Sequence, residues 1–460
     1  MSNPKRLMII GLDCAAPEIL FDDMKGELPV LGRLMERGVY GPLESCDPPI
    51  TVPAWSCMMS SKDPGTLGFY GFRNRKDHSY DGLTFATAEK MKEDRVWDIL
   101  SRAGKHVVVL GVPQTFPPSK VNGEMVGCFL SPSTESRYTY PDELRDEIRS
   151  VVGEYMVDVP NFRTDDKDRI LRDINEMTKR RFALARHLRD SRPWDFFMMV
   201  EMGPDRLHHG FWRYYDPKHP DYEPGTAYET AFRDYYRYLD SEIGSLIEGL
   251  DDETGLMVVS DHGAQSMYGG IQVNEWLMKE GYLKLAEPPA APGPIGKMKI
   301  DWPHTRVWAD GGYYSRIFLN VKGREPEGVI EPAEYESVRD ELIAKLEALG
   351  DEQGAPIGTR VYRPEQLYHK VNGVAPDLIC YFGNLTWRSI GSVGDGRVHV
   401  RENDTGPDDA NHAKFGIYIM DGPGMPATPP ADASLFDIAP TVLTLMGQPV
   451  PGDMQGHSLV

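Results

Sequence analysis

Two short strings of this chain set a carboxylate close to an imidazole: Pro204-Asp205-Arg206-Leu207-His208-His209-Gly210 and Ser260-Asp261-His262-Gly263. Mixed oxygen and nitrogen donors suit a borderline divalent metal such as zinc. Asp205 and His209 stand four apart, so a helical turn would place both on one face, as in paired metal ligands. An Asp–His pair on a helix also serves as a plain hydrogen bond, and spacing alone leaves His208 as available as His209. Asp261 and His262 are adjacent and diverge in regular structure; an abrupt turn at Gly263 lets them converge, and a capped turn is the plainer alternative. Asp13, in Gly11-Leu12-Asp13-Cys14, also serves as a helix cap, and His412, in Asn411-His412-Ala413, as a loop residue. Thr51 lies between proline-rich turns, in Pro49-Ile50-Thr51-Val52-Pro53, just before an expected helix. A metal would lower the pKa of its hydroxyl, and a helix N-terminus would help hold the developing anion. Together these residues read as a two-metal hydrolase.

The positions of these residues follow from the elements around them. Trp194–Val200 and Gly255–Val259 are apolar runs that read as buried strands, each just before one of the two strings. Leu7–Ile10 and Val107–Leu110 read as further strands, and 30–37 and 88–102 as helices. Such alternation predicts an α/β fold with a mostly parallel central sheet flanked by helices on both faces. Ligands in open sheets of this kind gather at the carboxyl ends of the strands, where Asp13, Asp205 and Asp261 fall. Ala227–Leu250 carries apolar residues at helical spacing, a long amphipathic helix. The whole of 1–460 reads as one catalytic domain with two additions: a charged helical lid over 137–190 and a smaller inserted subdomain over 287–370, which opens on a Pro/Gly/Ala-rich linker.

A formal net charge of -20 argues against a nucleic-acid polymer as partner, since phosphate tracking needs surplus Lys and Arg. A small phosphorylated substrate stays compatible, because bound cations reverse the local field. No apolar run approaches the ~18 residues of a membrane span. The five cysteines are scattered without CxxC spacing, so reduced thiols in the cytoplasm are expected. Oligomeric state is not legible.

As an ordered set, Gly11-Leu12-Asp13, Thr51-Val52-Pro53 with Asp63-Pro64-Gly65, Pro204-Asp205 to His209-Gly210, Ser260-Asp261-His262-Gly263, His412 and the closing Asp437-Ile438-Ala439-Pro440-Thr441 resemble the alkaline phosphatase superfamily. The resemblance is to its type I phosphodiesterase and nucleotide pyrophosphatase branch. It implies one zinc on Asp205, His209 and His412, and a second on Asp13, Asp261 and His262 with Thr51 beside it; Mn2+ is the other candidate metal. It selects His209 over His208 and implies in-line attack by Thr51, a covalent phospho-threonine and hydrolysis by water. A phosphodiesterase or nucleotide pyrophosphatase is therefore expected, with a phosphomonoesterase or a phosphoryl or phospho-alcohol transferase as alternatives. Cys57 is followed by Met58-Met59-Ser60, which lacks the pattern that sulfatases mature to formylglycine. The family's phosphate-contacting Asn aligns near Phe72, with Arg73 and Asn74 only neighbours. The aromatic string Phe211–Tyr215 offers either core packing or a stacking wall for a base, and Arg73, Arg75, Lys322 and Arg324 are candidate anion contacts.

Overall fold

The computed structural model describes residues 3–460. An eight-stranded sheet runs, in spatial order, Val39–Glu44, Phe415–Asp421, Thr254–Val259, Arg6–Leu12, Phe196–Glu201, Val107–Leu110, Gly123–Val126 and Thr139–Tyr140. The five strands from Thr254–Val259 to Gly123–Val126 are parallel, and the outer strands pair antiparallel. The central strands are buried on both faces, which is why they read as unbroken apolar runs rather than alternating ones. Their register brings three strand ends together. Gly11 pairs with Val259 and Leu12 with Glu201, so Asp13, Met202 and Ser260 leave three adjacent strands at one level.

Helices cover the sheet. The stretch expected as a lid contributes mostly to this layer: Lys167–Ser191 is a helix that buries Ile170, Ile174, Met177, Phe182 and Leu188 in the same apolar cluster as the sheet. Its charged residues, which suggested a lid, are the solvent face of a core helix. The 88–102 segment is a short turn at Ala88–Lys90 followed by a helix at Val96–Arg102. Asp98 accepts from the Arg95 amide and starts that helix late. The 227–250 helix spans Ala231–Ile247.

A second apolar cluster runs from Ile271 to Val398 and so extends beyond 287–370 on both sides. Its frame is an antiparallel sheet ordered Val307–Asp310, Ser315–Leu319, Leu378–Tyr381 and Arg360–Tyr362, backed by the helix Tyr335–Glu347. Among the described residues no helix is long and apolar enough to cross a membrane. All five cysteines are buried and unpaired.

Candidate metal centre

Asp13 follows the first strand directly. Gly11 makes its surroundings possible, since a Cβ there would stand 2.4 Å from the Trp55 ring. With Gly at that point, Trp55 lies against the strand and its Nε1 donates to Asp13 Oδ2 at 2.7 Å. Thr51 is the first residue of the helix Thr51–Ser60, and its Oγ1 lies 3.3 Å from His262 Nε2. Asp205 and His209 sit in the first turns of the helix Gly203–Tyr215, with Asp205 Oδ1 3.3 Å from His209 Nε2. His412 lies on the short strand Ala410–Ala413, which pairs antiparallel with Gly263–Ser266 directly after the Asp261–His262 turn.

The seven residues thus meet at one buried place. His262 Nε2 is 3.2 Å from Asp261 Oδ2 and 3.8 Å from Asp13 Oδ1. His412 Nε2 is 3.8 Å from Asp205 Oδ1 and 3.3 Å from His209 Nε2. Each of these carboxylate and imidazole side chains is at most 2% exposed.

The other nitrogen of each histidine is already engaged. His209 Nδ1 lies 2.7 Å from Asp408 Oδ1 and 3.1 Å from the Ala410 carbonyl oxygen. His262 Nδ1 faces the Gly263 carbonyl at 3.0 Å, and His412 Nδ1 the Pro49 carbonyl at 2.8 Å. A carbonyl oxygen only accepts, so Nδ1 carries the proton and the Nε2 lone pair points inward. Asp13 Oδ1 and Asp261 Oδ2, buried on the same side, have no hydrogen-bond partner. Three inward Nε2 atoms, that of His209 once it gives up its proton, and two orphaned carboxylate oxygens are a donor set that fits divalent cations.

The electrostatics agree. Burial, then the neighbouring carboxylates, push Asp13 and Asp261 well above the ordinary range. Burial would do the same to Asp205, but His209 and Arg206 hold it well below. Burial pushes His262 down to about 4 and His412 well below its usual value. His209 differs: burial would lower it, but Asp408 and Asp205 hold it well above its usual value. Acids crowded until they resist ionising, beside His262 and His412 kept neutral, are the state that a cation relieves.

His208 turns away. Its Nε2 lies 2.8 Å from the Tyr236 hydroxyl and its ring stacks on Phe232 at 5.0 Å. The aromatic string after it is core: Phe211, Trp212 and Tyr214 are buried, and Trp212 donates to Ser266 Oγ at 2.8 Å. Arg75 and Arg324 bind Glu325 and Asp377, and Lys322 binds Glu331, so these cations are committed to carboxylates in the second unit. Arg73 lies over the Phe85 ring, and Asn74 accepts from the Tyr70 amide within its own turn.

Sequence reasoning missed the surrounding shell. Asp408, with its side chain fully buried, accepts from Arg163 at 2.9 Å and Arg388 at 2.6 Å while holding His209. Those three cations keep it below the usual carboxylate range despite its burial. The acid pair Asp408-Asp409, just before His412, was the available signal. Arg206 pairs with Asp205 and, at 2.8 Å, with Asp158. The Tyr313 hydroxyl stands 3.2 Å from His209 Nε2, with no motif to announce it.

Solved structures with this fold include human ectonucleotide pyrophosphatase / phosphodiesterase 5, at 14% identity and a TM-score of 0.56, covering 97% of this chain and 96% of that one. The murine counterpart, an inactive form in complex with AMP, matches at 13% identity and a TM-score of 0.57 over the same shares, 97% and 96%. Phosphonoacetate hydrolase from Sinorhizobium meliloti 1021, in complex with phosphonoformate, matches at 15% identity and a TM-score of 0.61, covering 95% of this chain and 94% of that one. No curated protein sequence matches the chain. A family model, type I phosphodiesterase / nucleotide pyrophosphatase, matches residues 7–408, and the chain belongs to that family.

Proposed function

We propose that this protein is a phosphodiesterase or nucleotide pyrophosphatase that uses Thr51 as its nucleophile. The observation that carries the reading is the inward Nε2 set of His209, His262 and His412, facing Asp13, Asp205 and Asp261. Asp205, His209 and His412 would hold one divalent cation, and Asp13, Asp261 and His262 the other, Zn2+ being favoured by the donor types and Mn2+ second. Bound there, the cations would supply charge that acidifies the Thr51 hydroxyl and offsets the phosphoryl oxygens. Thr51 Oγ1, at the positive end of its helix, attacks phosphorus and forms a phospho-threonine. Water then frees the phosphoryl group.

Thr51 lies on the Asp13–Asp261–His262 side, so in-line displacement sends the leaving oxygen toward Asp205, His209 and His412. The murine relative binds AMP, which supports a nucleotide-type substrate here. Unpaired thiols support a reducing compartment such as the cytoplasm. A phosphomonoesterase is the second reading, favoured by the part-exposed Arg163 guanidinium at the rim, a cation suited to a dianionic ester. The test is kcat/KM for bis-p-nitrophenyl phosphate against p-nitrophenyl phosphate on zinc-loaded protein. A diester preference is expected, and Thr51→Ala should keep its metal and lose turnover. Near-wild-type rates in that variant would overturn the nucleophile.

A further inference from the structure

The carboxylates of the two candidate metal positions meet different donors on their outer oxygens. Asp13 Oδ2 accepts from the Trp55 indole at 2.7 Å, and Asp261 Oδ1 from the Cys14 amide at 3.2 Å. Both donors are neutral and leave each carboxylate its full charge. Asp205 Oδ2 instead accepts from Arg206 Nη1, while its Oδ1 faces His209 and His412. The Arg206 guanidinium is fixed in place. Its Nε and Nη2 each donate to Asp158 at 2.8 Å, and its side chain is 8% exposed. It lies 4.3 Å from the centre of the Phe162 ring and 5.8 Å from that of Phe129. Behind His209, Asp408 is likewise paired with Arg163 and Arg388. On this side every carboxylate, Asp205, Asp158 and Asp408, is thus matched by a guanidinium, whereas Asp13 and Asp261 rest on neutral donors.

We propose that Arg206 makes the two metal positions unequal: the Asp13–Asp261–His262 position takes the first zinc tightly, and the Asp205–His209–His412 position takes the second weakly and exchangeably. The inference rests on the two-metal reading of the site. Affinity for a divalent cation depends on how much ligand charge surrounds it. Asp13 and Asp261 supply two uncompensated carboxylates. A cation among Asp205, His209 and His412 meets one carboxylate, already paired, with the guanidinium bonded to its far oxygen. In so buried a place the repulsion between guanidinium and cation is weakly screened, and a cation already held by Asp13 and Asp261 adds to it. Arg206 is therefore a positioning residue with two effects: it fixes Asp205 with Oδ1 inward, and it lowers what that carboxylate contributes to binding. Because the proposed leaving oxygen departs on this side, turnover should follow the free zinc concentration through the weaker position.

The test is a zinc titration of metal-free protein against a chromophoric chelator of known affinity, read as two dissociation constants. In wild-type protein the second should exceed the first by about 10- to 100-fold, the range over which outer partners move metal affinity. Arg206→Met should tighten the second constant by about 10-fold and leave the first within about twofold. Arg206→Lys keeps the charge without the planar fork, so its second constant should stay weak, a pattern that lost packing alone would not give. Asp158→Asn, at a part-exposed side chain, removes the counter-charge of Arg206 and should weaken the second constant further, by roughly threefold. Crystals given one equivalent of zinc should show their anomalous peak beside His262 Nε2. Equal constants in wild-type protein, a first peak between His209 and His412, or a second constant unchanged in Asp158→Asn or in folded Arg206→Met would overturn the proposal. The two-metal reading fails separately, if saturated wild-type protein holds fewer than two zinc ions.

Discussion

Asp408→Asn should weaken metal binding and loosen the fold by two separable amounts. In the folded protein this carboxylate accepts from His209 Nδ1 at 2.7 Å, and from Arg163 and Arg388 on its other oxygen. Asn keeps an acceptor for His209 but removes the charge, and charge-assisted bonds are about twice as strong as neutral ones. Partners behind a metal-bound histidine typically govern about 10- to 100-fold in metal affinity, which is about 1.4 to 2.7 kcal/mol. The second amount concerns the arginines. The Arg388 side chain is 6% exposed, so loss of its carboxylate strands a buried charge, a change that typically costs about 3–5 kcal/mol. Arg163 is 23% exposed and recovers part of its hydration, so it adds less. Competition against a chelator of known zinc affinity reads the first amount, and denaturant unfolding of metal-free protein reads the second. A folded Asp408→Asn protein whose zinc affinity stays within twofold of wild type would refute the reasoning.

Two further perturbations probe the shell and the loop. Burial lowers the pKa of His219, whose Nε2 donates to the Asp409 carbonyl at 3.0 Å and whose Nδ1 accepts the Asp221 amide at 3.0 Å. The unfolded chain therefore binds a proton, below about pH 6.5, that the folded chain refuses. Stability should fall as pH drops from that point toward the lowered folded value, by at most about 1.4 kcal/mol per unit. His219→Gln should flatten that part of the melting-temperature profile, and an unchanged profile would exclude the effect. Gly311→Ala puts a Cβ 2.3 Å from the Gly391 amide nitrogen, so the Tyr313 turn must shift. We expect a loss of about 1–3 kcal/mol in thermal or denaturant unfolding, and wild-type stability would show that the turn is not tightly held.

What could be read from the sequence divides along physical lines. Phe196–Glu201 and Thr254–Val259 are buried on both faces, so their apolar runs stood out, and residues just past their ends had a predictable location. The spacing of Asp205 and His209 puts both on one face only if the segment is helical, and the helix is Gly203–Tyr215. Spacing alone leaves His208 and His209 open and the resemblance selects His209; in the fold His208 faces Tyr236 and Phe232 while His209 faces the cluster. The many charges of the helix Lys167–Ser191 mask a buried face that only its packing in the sheet's apolar cluster makes visible. Tyr313 and Arg163 come from loops far apart in sequence and meet Asp408 only through tertiary packing, so no local spacing could announce those two.

The central claim is tested most directly by anomalous diffraction at the zinc absorption edge from crystals of zinc-loaded protein. Two peaks about 4 Å apart are expected. One should lie about 2.0–2.1 Å from the Nε2 atoms of His209 and His412, and the other at that distance from His262 Nε2, beside Thr51. A single peak, ligation through Nδ1, or zinc held only by surface carboxylates would contradict the account.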